Sequence, residues 1–366
     1  MLDYFAKPGK ASFILGGQWG SEGKGAAAAF VAWQHFDVRH HGFAIATTNA
    51  GAQAGHTSTW SKDGKPKVVF HLPTYSLYRP CFTYLNAGSI IDPVGLLKEL
   101  GENPQILKNG FAIHPNAAII TPECREAEGR NDSAQTKIAS TRKGVGEALA
   151  RKVLRSGLTA KDFFRGTVYD QSGHVRVIDL QSEMLSAKSV LVEVPQGHSL
   201  SIDGPFYPHT TSRNCTVGQA MSDAGIHPHF YHRSMLVIRT FPIRVGNIYD
   251  DAPNPNPIGF SGGHFPDQQE ISWDDLGVAA EITTVTRRVR RVFTFSEQQV
   301  AEAIASARPN VIFLSFCDYL PNTELAKVAV DKIRRLCNKH GCRNERVEIL
   351  TAWGPTTGDV KSGDGL

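Results

Sequence analysis

A glycine-rich loop between an apolar strand and an alanine-rich helix is the feature that most constrains the fold of this chain. Residues 14–30 read ILGGQWGSEGKGAAAAF. Glycines let a backbone take left-handed conformations and approach a ligand closely. A helix that starts after such a loop points its free N–H groups at an anion, and Lys24 adds a positive charge between two glycines. The segment predicts a phosphate-binding loop after the first strand of an α/β protein.

The loop differs from the standard P-loop, in which a glycine and four further residues precede Gly-Lys-Ser/Thr. Gln18 stands five positions before Gly23, and Gly25 replaces the expected Ser or Thr. The pattern alone therefore leaves a second interpretation open, a strand–helix turn that binds no ligand.

Strand-like and helical segments alternate along much of the chain. SFIL (12–15) and NVIFLSFCDYL (310–320) are apolar enough for buried strands, and SVLVEVPQG (189–197) is predicted to be a strand that enters a loop. Helical patterns follow the capping residues Asp92 and Ser296. This alternation predicts an α/β fold with a largely parallel central sheet flanked by helices. Since no domain linker interrupts it, we expect residues 1–366 to form a single domain with long loop insertions, such as the Pro- and Gly-rich stretch 250–270. The final segment GDVKSGDGL is predicted to be a flexible tail.

Composition narrows the class of protein. A formal net charge of +4 suits the binding of small anions and is low for a dedicated nucleic-acid-binding protein. No apolar run reaches the ~18 residues of a membrane span. The six cysteines are scattered without a disulfide pattern, which favours reduced thiols. We expect a cytoplasmic enzyme with no nucleic-acid or membrane partner.

Three further segments carry chemistry. TNAGAQAGHTST (48–59) places His56 beside a glycine, where it could act as an acid or stabilise charge, although a lone histidine is more often a hydrogen-bonded loop residue. TTVTRRVRRVF (283–293) offers arginine forks suited to carboxylates, and its alternative interpretation is a solvated basic edge or a nucleic-acid patch. PQGHSLSIDGPFYPHTTSRN (195–214) is a polar loop after a strand, a place where α/β proteins bind nucleotides.

Together these segments resemble the adenylosuccinate synthetase family. Its phosphate loop reads QWGDEGKGK where this chain has QWGSEGKGA, and its next signature ends in NAGHT where this chain has QAGHT. TTVTRRVRRVF is similar to the aspartate-binding TTGRKRR loop of the family, and AWGPTT to its C-terminal STGP. The motifs run in the family's order from residue 12 to about residue 357, so the resemblance covers nearly the whole chain.

Two departures from the family pattern suggest a particular branch. The family's catalytic aspartate, which takes the N1 proton of the purine, corresponds to Ser21. A serine is a poor base without a partner, but it is small and neutral and leaves room for the 2-amino group of guanine. This resembles the phage branch of the family, which acts on dGMP. The lysine that reads the guanine of GTP corresponds to Phe316, while the neighbouring aspartate remains as Asp318, so the resemblance implies ATP or dATP as donor.

The resemblance implies a ligase that joins L-aspartate to C6 of dGMP through a 6-phosphoryl intermediate. Its product is N6-succino-2-amino-2'-deoxyadenylate, a precursor of diaminopurine for phage DNA. Mg²⁺ is the implied cofactor, held by Ser21 and Gly55. The implied assembly is a homodimer in which Arg155 reaches the neighbouring site.

The resemblance also assigns roles to individual residues. Catalysis falls to Ser21, Lys24 and His56. The triphosphate and its base are assigned to Gly20, Glu22, Gly23, Lys24, Gly25, Gly55, His56, Thr57, Phe316, Asp318, Gly354 and Pro355. The dGMP site comprises Ser21, Gln53, Ser140, Thr141, Arg155, Gln196 and Thr211. Aspartate is assigned to Thr284, Val285, Thr286, Arg288 and Arg290.

Two rival functions stay open at this point. An ordinary adenylosuccinate synthetase predicts turnover of IMP with GTP and L-aspartate, and Ser21 and Phe316 argue against it. A non-catalytic nucleotide-binding homologue predicts ligand binding without phosphate release. It accounts for the missing aspartate but not for the survival of the other motifs.

Overall fold

A computed structural model describes residues 2, 4–35, 42–167, 175–185, 188–249, 256–283, 287–340 and 347–365. Ten strands form one central sheet in the order β17-β16-β15-β11-β1-β10-β2-β5-β7-β9. Every neighbouring pair is parallel except β16 and β17. The predicted α/β fold with a largely parallel sheet is confirmed. The single-domain organisation stays a prediction.

The strands have the following bounds: β1 Ala11–Gly16, β2 Ile45–Thr48, β3 His56–Ser58, β4 Lys67–Val69, β5 Phe82–Leu85, β6 Ile90–Ile91, β7 Phe111–Ile113, β8 Ala118–Ile119, β9 Arg176–Val177, β10 Val190–Glu193, β11 Tyr231–Arg239, β12 Ile243–Arg244, β13 Glu270–Ile271, β14 Arg291–Phe293, β15 Val311–Ser315, β16 Glu348–Ala352 and β17 Val360–Ser362. Outside the central sheet, β12, β14 and β13 form an antiparallel sheet, β3 pairs antiparallel with β4, and β6 pairs parallel with β8.

The α-helices have the following bounds: α1 Lys24–Gln34, α2 Pro93–Glu102, α3 Gln105–Asn109, α4 Pro122–Gly129, α5 Ala134–Lys137, α6 Val145–Val153, α7 Ala160–Phe164, α8 Gln181–Leu185, α9 Val217–Ala224, α10 Trp273–Leu276, α11 Glu297–Ala307 and α12 Thr323–Lys339. Ser296 caps α11 as predicted, since its hydroxyl accepts a hydrogen bond from the backbone N–H of Gln299. Within the described residues, no helix combines the length and the apolar character needed to cross a membrane.

Both faces of the central sheet are covered, as a parallel sheet requires. Phe13 and Leu15 of β1 point into a core shared with α9, α11 and α12. Ile14, between them, points into the opposite core, which includes the alanine-rich α1. The alternation of side chains along β1 thus packs α1 directly behind the loop that precedes it.

Two local predictions need correction. The C-terminal segment is not a flexible tail, because Val360–Ser362 pairs antiparallel with β16 as the edge strand of the central sheet. Asp92 occupies the N-cap of α2, but its side chain makes no capping hydrogen bond. It lies 2.6 Å from Arg125 Nη2 instead, so an ion pair has replaced the cap.

Candidate active site

A cavity of about 390 Å³ opens among loops that follow several strands of the sheet. Its wall includes the phosphate loop after β1, the His56 segment after β2 and the polar loop after β10. In a parallel sheet these loops share the carboxyl edge, where α/β proteins bind their ligands. The wall contains these predicted site residues: Gly20, Ser21, Gln53, Gly55, His56, Ser140, Thr141, Gln196, Thr211 and Arg290.

The phosphate loop is held in shape by a buried ion pair. Lys24 Nζ lies 3.0 Å from Glu22 Oε2 and donates to the carbonyl of Gly20. Glu22 Oε1 accepts hydrogen bonds from the backbone N–H groups of Gln18 and Gly20, at 2.9 and 2.6 Å. Glu22 therefore draws the loop's N–H groups inward, and Lys24 lies beneath the cavity rather than in its wall.

Close packing explains why Gly25 occupies the position that a P-loop gives to Ser or Thr. A Cβ atom at Gly25 would lie 2.4 Å from the carbonyl oxygen of Thr57. The first turn of α1 thus rests directly on the backbone of β3. This contact brings the helix N-terminus next to His56, which stands one residue before Thr57.

Ser21 sits on the cavity wall with an arginine against its hydroxyl. Arg290 Nη1 donates to Ser21 Oγ at 2.5 Å. A guanidinium group can only donate hydrogen bonds, so the serine oxygen is the acceptor and its own proton stays available for another acceptor. In this arrangement the Ser21 hydroxyl can donate its proton, and the positive charge of Arg290 on one lone pair makes the oxygen a weaker base.

A second arginine holds the backbone of the same residue. Arg239, at the end of β11 and 1% exposed, donates from Nη1 to the carbonyl of Ser21 at 3.1 Å. Its Nη2 lies 2.5 Å from Glu281 Oε1. Burial would raise the pKa of the Glu281 carboxyl, but Arg239 outweighs that effect and holds the pKa below its ordinary value. Glu281 is therefore ionised and links the arginine to the segment before Arg290.

His56 is nearly buried, with 8% of its surface exposed. Burial, together with the positive charge of Lys24, lowers its pKa to about 3. The imidazole is therefore neutral at pH 7 in the ligand-free protein, and it can donate one hydrogen bond to a phosphoryl oxygen.

Two glutamine side chains on the wall carry buried oxygens that find no hydrogen-bond partner among the described residues. These are Gln53 Oε1 and Gln196 Oε1. Buried polar atoms normally have partners, so both amides are placed to accept hydrogen bonds from a ligand. Gln196 also has a left-handed backbone, with φ of 58°.

Arg288 has a different environment from Arg290. Its guanidinium donates to the carbonyls of Gly246, Ala139 and Ser140 at 2.8, 3.0 and 3.1 Å. Arg288 thereby links the arginine segment (residues 283–293) to the loop that carries Ser140 and Thr141. Thr284, Val285 and Thr286, predicted beside it to bind aspartate, lie outside the described residues.

The residues predicted to hold the donor base follow β15 and β16, which are paired neighbours in the sheet. Phe316 has its ring 3.8 Å from the Arg239 guanidinium, a close cation–π contact. Asp318 and Pro355 are exposed and Gly354 is partly exposed. All four lie outside the cavity wall, at the same edge of the sheet.

Arg155 lies apart from the cavity of its own chain. It is exposed in the turn after α6, with φ of 60°. Two exposed apolar side chains precede it, Val153 and Leu154, 64% and 73% exposed.

Sequence reasoning missed several residues of this region. Arg239 and Glu281 were not singled out, although an arginine ending the apolar run SMLVI is a signal that could have drawn attention. Trp19, Glu128, His209 and Arg244 also line the cavity. Glu128 accepts hydrogen bonds from the backbone N–H groups of Gly144 and Glu147, and so fixes the start of α6 next to the cavity.

Comparison with known proteins identifies the family. The family model for adenylosuccinate synthetase matches residues 13–178 and 174–336. The N6-succino-2-amino-2'-deoxyadenylate synthase of Salmonella phage PMBT28 is 33% identical, over 96% of this chain and 97% of that protein. The enzyme of the same name from Acinetobacter phage SH-Ab 15497 is 34% identical, over 87% of each chain.

A solved structure agrees with this assignment. The succinoaminodeoxyadenylate synthetase of Cyanophage S-2L, bound to dGMP and to dATP as an energy donor, superimposes with a TM-score of 0.81. The two sequences are 30% identical, and the match covers 97% of this chain and 95% of that one. The present chain belongs to the adenylosuccinate synthetase family. The predicted class, an enzyme that forms C–N bonds, is confirmed.

Proposed function

We propose that this chain ligates L-aspartate to C6 of dGMP at the expense of ATP or dATP. The products are N6-succino-2-amino-2'-deoxyadenylate, the nucleoside diphosphate and phosphate. The observation that carries the proposal is Ser21, a serine in the phosphate loop of a family whose catalytic residue there is aspartate, within a chain similar over nearly its full length to phage synthases of this name.

The reaction divides into two displacements. In the first, the 6-oxygen of the purine attacks the γ-phosphorus, the bond between that phosphorus and the β-phosphate oxygen breaks, and the N1 proton passes to a water molecule. In the second, the aspartate amine forms a bond to C6, the C6–O bond breaks, and phosphate departs with its oxygen. The amine loses a proton, and the purine ring regains its aromatic form.

The phosphate loop and His56 serve the first displacement. The N-terminus of α1 offers its free N–H groups to a triphosphate, and Lys24, paired with Glu22, adds a fixed positive charge to the loop. Neutral His56 donates a hydrogen bond to the transferred group. The negative charge of a bound triphosphate raises the pKa of this histidine, because an opposite charge favours the imidazolium form.

Ser21 and the two glutamines serve recognition of the purine. Ser21 presents its hydroxyl proton to the base, because Arg290 occupies the acceptor side of that oxygen. Gln53 and Gln196 offer amide oxygens that have no hydrogen-bond partner among the described residues. Guanine carries N1–H and 2-amino donors, which match acceptors of this kind. The remaining nucleotide contacts are assigned to Ser140, Thr141 and Thr211, which share the wall.

Magnesium is the expected cation, because it bridges phosphate oxygens and needs few protein ligands. Among the described residues, no group of three or more His, Cys, Asp or Glu side chains is arranged to hold a metal. The site suits an ion held mainly by substrate phosphates, with the backbone of Gly55 on the wall. Ser21 Oγ, which has a second lone pair beside the one that Arg290 occupies, would be the side-chain ligand. The ion would neutralise charge that develops during phosphoryl transfer.

The arginine segment serves the second displacement. Arg290 lies at the wall beside Ser21, where a dicarboxylate can pair with its guanidinium. We assign aspartate to Arg290, to Arg288 and to residues 284–286. Arg155, exposed beside an apolar surface, is proposed to complete the nucleotide site of a second copy in a homodimer.

Product analysis tests the proposal. Purified protein, dGMP, L-aspartate, ATP and Mg²⁺ are incubated, and the nucleotides are separated and weighed by mass spectrometry. The expected product has the mass of dGMP plus aspartate less one water. ADP and phosphate without that product would indicate an ATPase, and binding with no ADP would favour the non-catalytic rival.

A further inference from the structure

The two arginines that hold Ser21 are also linked to each other through one shared carboxylate. Arg239 donates to the Ser21 carbonyl, and Arg290 donates to the Ser21 hydroxyl. Both guanidinium groups face the same carboxylate, Glu281. Its Oε1 lies 2.5 Å from Arg239 Nη2, and its Oε2 lies 3.9 Å from Arg290 Nε.

Glu281 is held firmly enough to fix this arrangement. Arg239 approaches both of its oxygens, with Nη1 at 3.4 Å from Oε2. Tyr319 Oη donates to Oε1 at 3.1 Å. Arg239 itself is fixed at its backbone, because its N–H donates to Gln18 Oε1 and its carbonyl accepts from Gln18 Nε2. These contacts fix the position of the Glu281 carboxylate relative to both the phosphate loop and the end of β11.

We propose that the Arg239–Glu281 pair is a positioning element that holds Arg290 on Ser21 and so couples the purine site to the aspartate site. Without Glu281, the two cations would repel each other across a short buried gap. With it, Arg290 has one preferred place, from which it reaches the Ser21 hydroxyl and the space for a dicarboxylate. The proposal rests on the proposed function for the identity of the two substrates.

The coupling can be measured through the binding of each substrate. When a carboxylate pairs with Arg290 in this place, it draws on the guanidinium that also donates to Ser21, and the hydrogen bond to the Ser21 oxygen weakens. Occupancy of the aspartate site therefore changes what Ser21 offers the purine. A residue that sets the position of Arg290 must affect the binding of both substrates, not just one.

The test is the Glu281→Gln variant, which keeps the shape and removes the charge. We expect the KM for aspartate and the calorimetric Kd for dGMP, measured without donor or aspartate, each to rise about tenfold. A milder variant, Tyr319→Phe, removes one hydrogen bond to Glu281 and is expected to raise both constants in the same direction by less.

A matched control exists in the same segment. Glu270 pairs with Arg291 at 2.7 and 2.5 Å, but its side chain is 43% exposed. Glu270→Gln removes an equivalent charge from a neighbouring arginine and is expected to leave both constants within about twofold of the wild type. A merely structural role for Glu281 would lower the melting temperature or kcat and leave the two constants unchanged.

The KM for aspartate and the Kd for dGMP in the two variants distinguish coupling from a structural role. A rise in both constants in Glu281→Gln, with neither changed in Glu270→Gln, supports the coupling. A rise in one constant alone, or in neither, overturns it. If Glu281→Gln does not fold, Tyr319→Phe decides by the same criterion. If the wild type binds dGMP but does not turn it over, the proposed function fails, and the dGMP affinities of the variants still test whether Glu281 positions the Ser21 site.

Discussion

Arg290 Nη1 lies 2.5 Å from Ser21 Oγ, so the residue that stands at the position of the family's catalytic aspartate is held by an arginine from the segment proposed to bind L-aspartate. An aspartate at position 21 would pair with that arginine as an ion and remain an acceptor. A serine in the same contact offers its proton instead. Serine in place of aspartate therefore adds a hydrogen-bond donor to this point of the cavity wall, where an aspartate could only accept.

Removal of the Ser21 hydroxyl tests its role directly. Ser21→Ala is expected to lower kcat/KM for dGMP about tenfold to a hundredfold, the usual effect of losing a hydrogen bond that involves a charged partner. Steady-state phosphate release measures the change, and an unchanged melting temperature shows that the fold is intact. Full turnover in Ser21→Ala would leave the hydroxyl without a chemical role.

The glycine at position 25 is predicted to be required by packing. Gly25→Ser restores the standard P-loop residue but places a Cβ 2.4 Å from the Thr57 carbonyl, so β3 and His56 must shift. We expect a loss of about 1–3 kcal/mol in the free energy of unfolding and a higher KM for ATP.

A second glycine provides the control for that experiment. A Cβ at Gly218, inside α9, meets nothing within 4 Å. Gly218→Ala should therefore be neutral or stabilising, by up to about 1 kcal/mol. Equal destabilisation in the two variants would show that the contact with Thr57 is not what selects glycine at position 25.

Arg288 is predicted to affect both substrates. Lysine cannot reach the three carbonyls that the Arg288 guanidinium bridges, so Arg288→Lys loosens the loop of Ser140 and Thr141. We expect the KM for dGMP to rise together with the KM for aspartate. If only the aspartate KM rises, Arg288 is a simple ligand of the amino acid.

Phe316 is not expected to be exchangeable for the family's guanine-reading lysine. Its ring packs 3.8 Å from the guanidinium of the buried Arg239, so Phe316→Lys brings a second cation close to that arginine. The expected result is a lower melting temperature with no gain of GTP use. Efficient GTP turnover by this variant would contradict the view that Phe316 belongs to the support of Ser21.

The parts of the fold with strong local signals were predictable. A few neighbouring residues are enough to predict the glycine loop, the capping Ser296 and the apolar β15. Short elements did not: Val360–Ser362 is partly polar and forms a strand only because β16 lies beside it. Two-residue strands such as Ile243–Arg244 have the same origin, since their pairing partner is remote in sequence.

Site residues were predictable where they belong to one contiguous sequence motif. They were not predictable where the fold brings together residues that are distant in sequence. Ser21, His56 and Gln196 stand in segments that can be compared with a family pattern. Arg239 and Glu281 meet only after β11 and the arginine segment come together, 42 positions apart. The charge of each has no local explanation, and only the folded arrangement shows that the two support one hydroxyl.

The measurement that tests the account most directly is phosphate release by the purified protein with Mg²⁺, L-aspartate and ATP, with dGMP compared to IMP as acceptor. The account predicts turnover with dGMP and little with IMP, because Ser21 marks a site for guanine. Turnover with IMP and none with dGMP would contradict it, since a serine at this position would then serve the ordinary reaction of the family.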